Sequence, residues 1–152
     1  MKNNEEFAKI FDDIGFFLSL KGDNPFKIRA YHNASLIIKK LPFPLFQVRE
    51  KTELKKISGI GEAISDKIIE IMETGDCALH RKLLNEFSPL ILEVRKINGI
   101  GIKTIKILYD NNINSIKELN AFLYNNELNK QISEDKISVL KQYLNERKDE
   151  KK

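Results

Sequence analysis

Two short stretches carry the most suggestive chemistry in the chain: Ile57-Ser58-Gly59-Ile60-Gly61 and, forty positions later, Ile97-Asn98-Gly99-Ile100-Gly101, with four of five residues identical. Each follows a short charged and apolar segment and opens a longer one with helical periodicity, Gly61 to Glu73 and Gly101 to Asn111. The spacing predicts helix, hairpin, helix, twice. Glycine lets the backbone turn through positive φ and leaves nothing in front of neighbouring amides. At the start of each outgoing helix, unpaired N–H groups and the positive end of the helix dipole then suit an anion. Two such starts point to phosphates of a nucleic-acid backbone, met at Gly59, Gly61, Gly99 and Gly101, with Lys103 and Thr104 opening the second outgoing helix. The structural alternative is a pair of tight interhelical turns. A dinucleotide fingerprint is excluded because Ile64 stands where its third glycine belongs, and a P-loop because no Gly-Lys-Ser/Thr follows.

Just beyond Gly61, Lys67 is an amine in a half-sheltered place. On a helix Ile60, Ile64, Ile68 and Ile71 share one stripe, and Lys67 falls about 60° from Ile64, at its border. Partial desolvation or a neighbouring cation is what makes a lysine nucleophilic. The structural alternative is a snorkelling surface lysine paired with Glu70 or Asp66. Asp12-Asp13, Glu134-Asp135 and Asp149-Glu150 read as solvated faces, and Cys77 with His80 is too sparse for a metal site.

Helices are expected to position these groups. Phe7, Ile10, Phe11, Ile14, Phe17 and Leu18 recur at three and four between Glu5 and Leu20, so one face of a first helix is buried. Gly22 ends it, Asn24 caps a second and Pro25 fits that helix's first turn, running to about Lys40. Leu41-Pro42-Phe43-Pro44-Leu45 is a stiff connector whose phenylalanine is expected to pack inward. Helices follow over Leu79 to Phe87, from Ser88-Pro89, over Ile116 to Asn125 and from Ser133, and the charged end from Arg147 is expected to fray. No alternating β-branched run is present. The fold expected is all-α, a helical bundle with two helix-hairpin-helix motifs.

The 152 residues carry 41% hydrophobic and 32% charged side chains and a net charge of +4. That charge permits nucleic acid without compelling it, but its placement is uneven: residues 21 to 40 carry Lys21, Lys27, Arg29, Lys39 and Lys40 against Asp23. The single cysteine excludes an internal disulfide and favours a reducing compartment. No apolar run reaches the length of a membrane span, and the N-terminus lacks a secretory pattern, so the expectation is a cytoplasmic monomer.

With the hairpins in place, Gly22-Asp23-Asn24-Pro25-Phe26-Lys27-Ile28-Arg29-Ala30-Tyr31, Glu73-Thr74-Gly75 and the two glycine stretches together resemble the N-terminal half of family X DNA polymerases, especially the bacterial form, from the first helix to about Leu144. The resemblance implies three segments: residues 1–87, a lyase-type helical domain with the first hairpin; 88–146, a second helix-hairpin-helix domain; and a charged tail, 147–152. It implies binding of gapped or nicked DNA in base excision repair, with Lys27 and Tyr31 lining a 5′-phosphate pocket. It further implies that backbone carbonyls of Lys55, Ile57 and Ile60, and of Arg95, Ile97 and Ile100, hold Na+ or K+ beside a phosphate; no other cofactor is expected. Lys67 matches the family's Schiff-base lysine.

The family's palm and thumb follow this region, and the sequence stops short of them, so polymerase activity from this chain is not expected. Ala63 and Leu79 stand where animal repair members carry basic residues, which weakens the pocket. Three readings follow. The chain is a sequence-independent DNA-binding module acting with a separately encoded polymerase or nuclease, or a 5′-deoxyribose-phosphate lyase working through Lys67, or a helical protein-interaction module whose hairpins are only turns.

Overall fold

Asn3 and Glu6 begin the fold by capping each other: the Glu6 N–H donates to Asn3 Oδ1 at 2.9 Å and the Asn3 N–H to Glu6 Oε1 at 3.1 Å. This reciprocal cap stabilises a helix by about 1 kcal/mol. The computed structural model describes the backbone of residues 1–150 and the side chains of residues 1–147. Those residues form α-helices and two short 3₁₀ turns, with no strand among them, so the fold is all-α. It divides into two compact units, Met1–Glu86 and a second that begins at Phe87.

In the first unit, α1 (Asn4–Lys21) is the organising element. Phe7, Phe11, Ile14 and Phe17 are at most 1% exposed, and every residue from Asp13 to Leu18 is buried. The helix is therefore enclosed nearly all round in its second half, where a one-sided stripe was expected. α2 (Pro25–Lys39) packs along it, starting where Asn24 Oδ1 accepts from the Phe26 N–H at 2.8 Å. Ser35 Oγ ties the pair by donating to the Ala8 carbonyl at 2.7 Å. In the proline-rich connector Phe43 is only half-buried and Leu45 is the residue that packs inward, at 0% exposure. The reason is Asn4, whose amide donates to the Phe43 carbonyl at 2.9 Å and accepts from the Leu45 N–H at 2.7 Å. α3 (Lys51–Leu54), α4 (Glu62–Thr74) and α5 (Ala78–Glu86) complete the unit.

Asp13 overturns its expected place on a solvated face. It is 4% exposed, with His80 Nε2 at 2.8 Å and Lys9 Nζ at 3.2 Å from its carboxylate. Burial of a carboxylate is tolerated where it is paired, and α5 brings His80 across to it from sixty-seven positions away.

The second unit repeats the logic with α6 (Pro89–Val94), α7 (Ile102–Asp110), α8 (Ile116–Leu123) and α9 (Glu134–Glu150). Ser88 and Ser115 cap α6 and α8 by accepting from the Ile91 and Glu118 N–H groups. Leu90, Ile91, Val94, Ile105, Leu108, Leu119, Phe122, Leu140 and Leu144 form its core. α9 runs to Glu150 and is tied back at Arg147, whose guanidinium pairs with Glu93, while Tyr143 Oη donates to the same carboxylate at 2.5 Å. The expected tail beyond residue 150 lies outside the described residues. No described helix is long and apolar enough to cross a membrane.

Candidate nucleic-acid interface

Within each unit the repeated motif closes a hairpin between two helices. In the first, the Ile57 N–H donates to Leu54 O at 3.1 Å, Ile60 N–H to Ile57 O at 3.0 Å and Ser65 N–H to Gly61 O at 2.9 Å. In the second, Ile97 donates to Val94 at 3.1 Å, Ile100 to Ile97 at 3.2 Å and Ile105 to Gly101 at 3.2 Å. Gly59 and Gly99 sit at φ 91° and 90°, the left-handed region that favours glycine. Ile60 and Ile100, 3% and 7% exposed, anchor the two turns in their cores.

Gly61 and Gly101 do a different job. Their φ values, −99° and −108°, suit any residue, so no turn demands glycine there. A Cβ added at either would meet nothing within 4 Å. Each is the N-cap of the outgoing helix and supplies no side-chain cap, whereas α1, α2, α6 and α8 are all capped by Asn or Ser. The first bonded amides are Ser65 and Ile105, which leaves the N–H groups of residues 62–64 and 102–104 at bare helix starts. That arrangement can receive a phosphate oxygen against backbone.

Lys103 is exposed at the second helix start and has no ion pair among the described residues. Thr104 is 7% exposed, so its side chain serves the fold and its amide is the group on offer. Lys55, Ile57 and Ile60 line one open hollow with Gly59, Gly61 and Ala30, of about 520 Å³. Ile57 O already accepts from Ile60, as Ile97 O does from Ile100, which leaves each one lone pair for a cation. Those carbonyls fit a hard monovalent ion by donor type, with Arg95 and Ile100 completing the second set. No group of three His, Cys, Asp or Glu that could hold a metal occurs among the described residues.

The lyase-type residues are placed less uniformly. Lys67 is half-buried on α4 and has no hydrogen bond or ion pair among the described residues. Both partners proposed for it are engaged elsewhere: Asp66 with Lys51 at 2.8 Å, and Glu70 with the Ala78 N–H at 2.9 Å. Its positive charge is felt by the buried Cys77 thiol, which burial pushes up. Tyr31 is 3% exposed and stacked on Phe11 at 6.2 Å, and burial, then the Cys77 and Asp23 charges, push its phenol up to about 12. It stays a neutral donor. Lys27 is exposed, with Asp23 4.0 Å away. No side-chain hydrogen bond or ion pair joins Lys27, Tyr31 and Lys67 among the described residues.

One constellation went unread in the sequence. Glu62, the first residue of α4, holds Lys51 Nζ on one carboxylate oxygen and Lys55 Nζ on the other, the latter at 2.6 Å. These hydrogen bonds, Lys51 first, bring its carboxyl down to about 2. Aligning the two hairpins residue by residue singles out Glu62, which stands where the second copy has Ile102, but not its hold on the two lysines.

Comparison with known proteins agrees with the geometry. Residues 2–77 match the family described as a helix-hairpin-helix domain, half of the chain and all of the first hairpin. DNA polymerase/3′-5′ exonuclease PolX of Bacillus subtilis (strain 168) is 27% identical over 107 residues, 70% of this chain and 18% of that protein. DNA nucleotidylexotransferase of Gallus gallus is 27% identical over 122 residues, 78% of this chain and 23% of that protein. The chain thus spans about a fifth of the length of these relatives. It belongs to the helix-hairpin-helix domain family, in the form found in family X DNA polymerases.

Proposed function

We propose that this chain binds duplex, gapped or nicked DNA through its backbone phosphates, without reading sequence, as the front part of a family X-type polymerase system in base excision repair. The observation that carries the reading is the pair of uncapped helix starts, each fronted by a glycine whose missing side chain serves no turn and opens only onto space. Amides at such starts contact phosphate and cannot reach base edges. The activities named for the relatives, DNA polymerase, exonuclease and nucleotidylexotransferase, are consistent with a DNA ligand. A separately encoded polymerase or nuclease is the partner this role calls for. Na+ or K+ at the hairpin carbonyls would screen the phosphate from the carbonyl dipoles. The test is Gly101→Val: φ suits any residue and a Cβ there meets nothing within 4 Å, so the variant, with its helix content checked by circular dichroism, should bind a gapped duplex about tenfold more weakly, by loss of one charge-assisted contact. Unchanged affinity in the folded variant would sink the phosphate reading.

A second reading, a 5′-deoxyribose-phosphate lyase, is favoured by one observation: Lys67 is half-sheltered and unpaired. Its neutral amine would attack the C1′ aldehyde of an incised abasic end and lose water to form an imine; transfer of a C2′ proton to water then breaks the C3′–O bond and releases the downstream strand with its 5′-phosphate, and hydrolysis of the imine frees the lysine. Borohydride should trap wild type on such an end and should not trap Lys67→Ala. Absence of any adduct on DNA that the protein binds rules the lyase out.

A further inference from the structure

The two hairpins share a backbone and differ in charge. Glu62, Ala63 and Asp66 in the first copy stand where the second has Ile102, Lys103 and Lys106. α4 carries Glu62, Asp66, Glu70 and Glu73 against Lys67, whereas α7 carries Lys103 and Lys106 against Asp110. The cations nearest the first hairpin are held within the protein: Lys55 by Glu62 at 2.6 Å, and Lys51 by Glu62 and by Asp66, the latter at 2.8 Å. Glu62 lines the same hollow as Gly59, Ile60 and Gly61. A carboxylate in the first turn already supplies the negative charge that a helix start favours. In the second copy that place is taken by Ile102, uncharged and 40% exposed, beside the unpaired Lys103.

We propose that Glu62 is a specificity-determining residue that makes the first hairpin the weaker phosphate grip and leaves the second as the anchor on DNA. The inference rests on the reading that the hairpins meet DNA phosphates. A phosphate approaching residues 62–64 meets a like charge and two lysines already engaged with it, whereas one approaching residues 102–104 meets no carboxylate in the first turn of α7 and has the exposed Lys103 beside it.

Glu62→Gln keeps the shape and removes the charge. On a gapped duplex at low salt it should bind about fivefold more tightly than wild type, an advantage that shrinks as salt screens the exposed site. The reciprocal variant, Ile102→Glu, builds the same obstruction at the second hairpin and should bind about fivefold more weakly. Both positions are exposed, and circular dichroism checks that each variant folds. If wild type binds and Glu62→Gln is unchanged or weaker, the inference is overturned while DNA binding stands. Ile102→Glu binding as wild type overturns the anchor assignment. If wild type does not bind DNA at low salt, the functional reading itself fails and this inference goes with it.

Discussion

Tyr31 shows how a single side chain can serve the fold while standing in a motif that suggests a ligand. Its ring is stacked on Phe11 and its hydroxyl is held neutral, with a pKa pushed up to about 12 by burial. An unfolded tyrosine titrates near about 10. Between about 10 and about 12, unfolding releases this proton, so stability falls as pH rises through that window; the contribution is complete below about 10. Tyr31→Phe removes the titration. In thermal melts, the stability of wild type relative to Tyr31→Phe should hold steady up to pH about 10 and then decline. Tyr143, also pushed up to about 12, by burial and then Glu93, is present in both proteins and cancels. A flat difference across the alkaline range would show that Tyr31 is solvated.

At the scale of the hairpin, two glycines two positions apart have unrelated reasons to be glycine. Gly59 is at φ 91°, and a Cβ there would lie 2.2 Å from Ile37 Cδ1. Gly61 is at ordinary φ in open space. Gly59→Ala should therefore destabilise the protein by about 1 to 2 kcal/mol through left-handed strain, while the terminal methyl of Ile37 can turn aside. Gly61→Ala should leave stability within about 0.5 kcal/mol of wild type. Urea unfolding of the two variants separates them, and equal losses would mean that Gly61 is also a structural glycine. Gly59 is thus glycine for the turn itself, while Gly61 borders open space that no turn requires.

For the molecule as a whole, a net charge of only +4 makes bulk attraction to DNA weak, so local amides and lysines must carry the affinity. Plotted against log salt concentration, log affinity should be linear, at about −0.9 per phosphate, with a total slope of about −4. The slope should be the same on unrelated gapped sequences, and a strong sequence preference would refute backbone recognition. The all-α class, the helix order, the cap at Asn24 and the paired hairpins were all legible in the residues alone. Each rests on local causes: apolar period, capping oxygen, proline and glycine. What only the tertiary structure decided involves residues distant in sequence that meet in space. Asp13 is buried because α5 delivers His80; Leu45 rather than Phe43 packs inward because Asn4 clasps the connector; Arg147 is tied down because α6 brings Glu93 to it. The inequality of the hairpins is of the same kind. Glu62 is plain in the sequence, but its hold on Lys51, eleven positions away across the turn, exists only once the hairpin has closed.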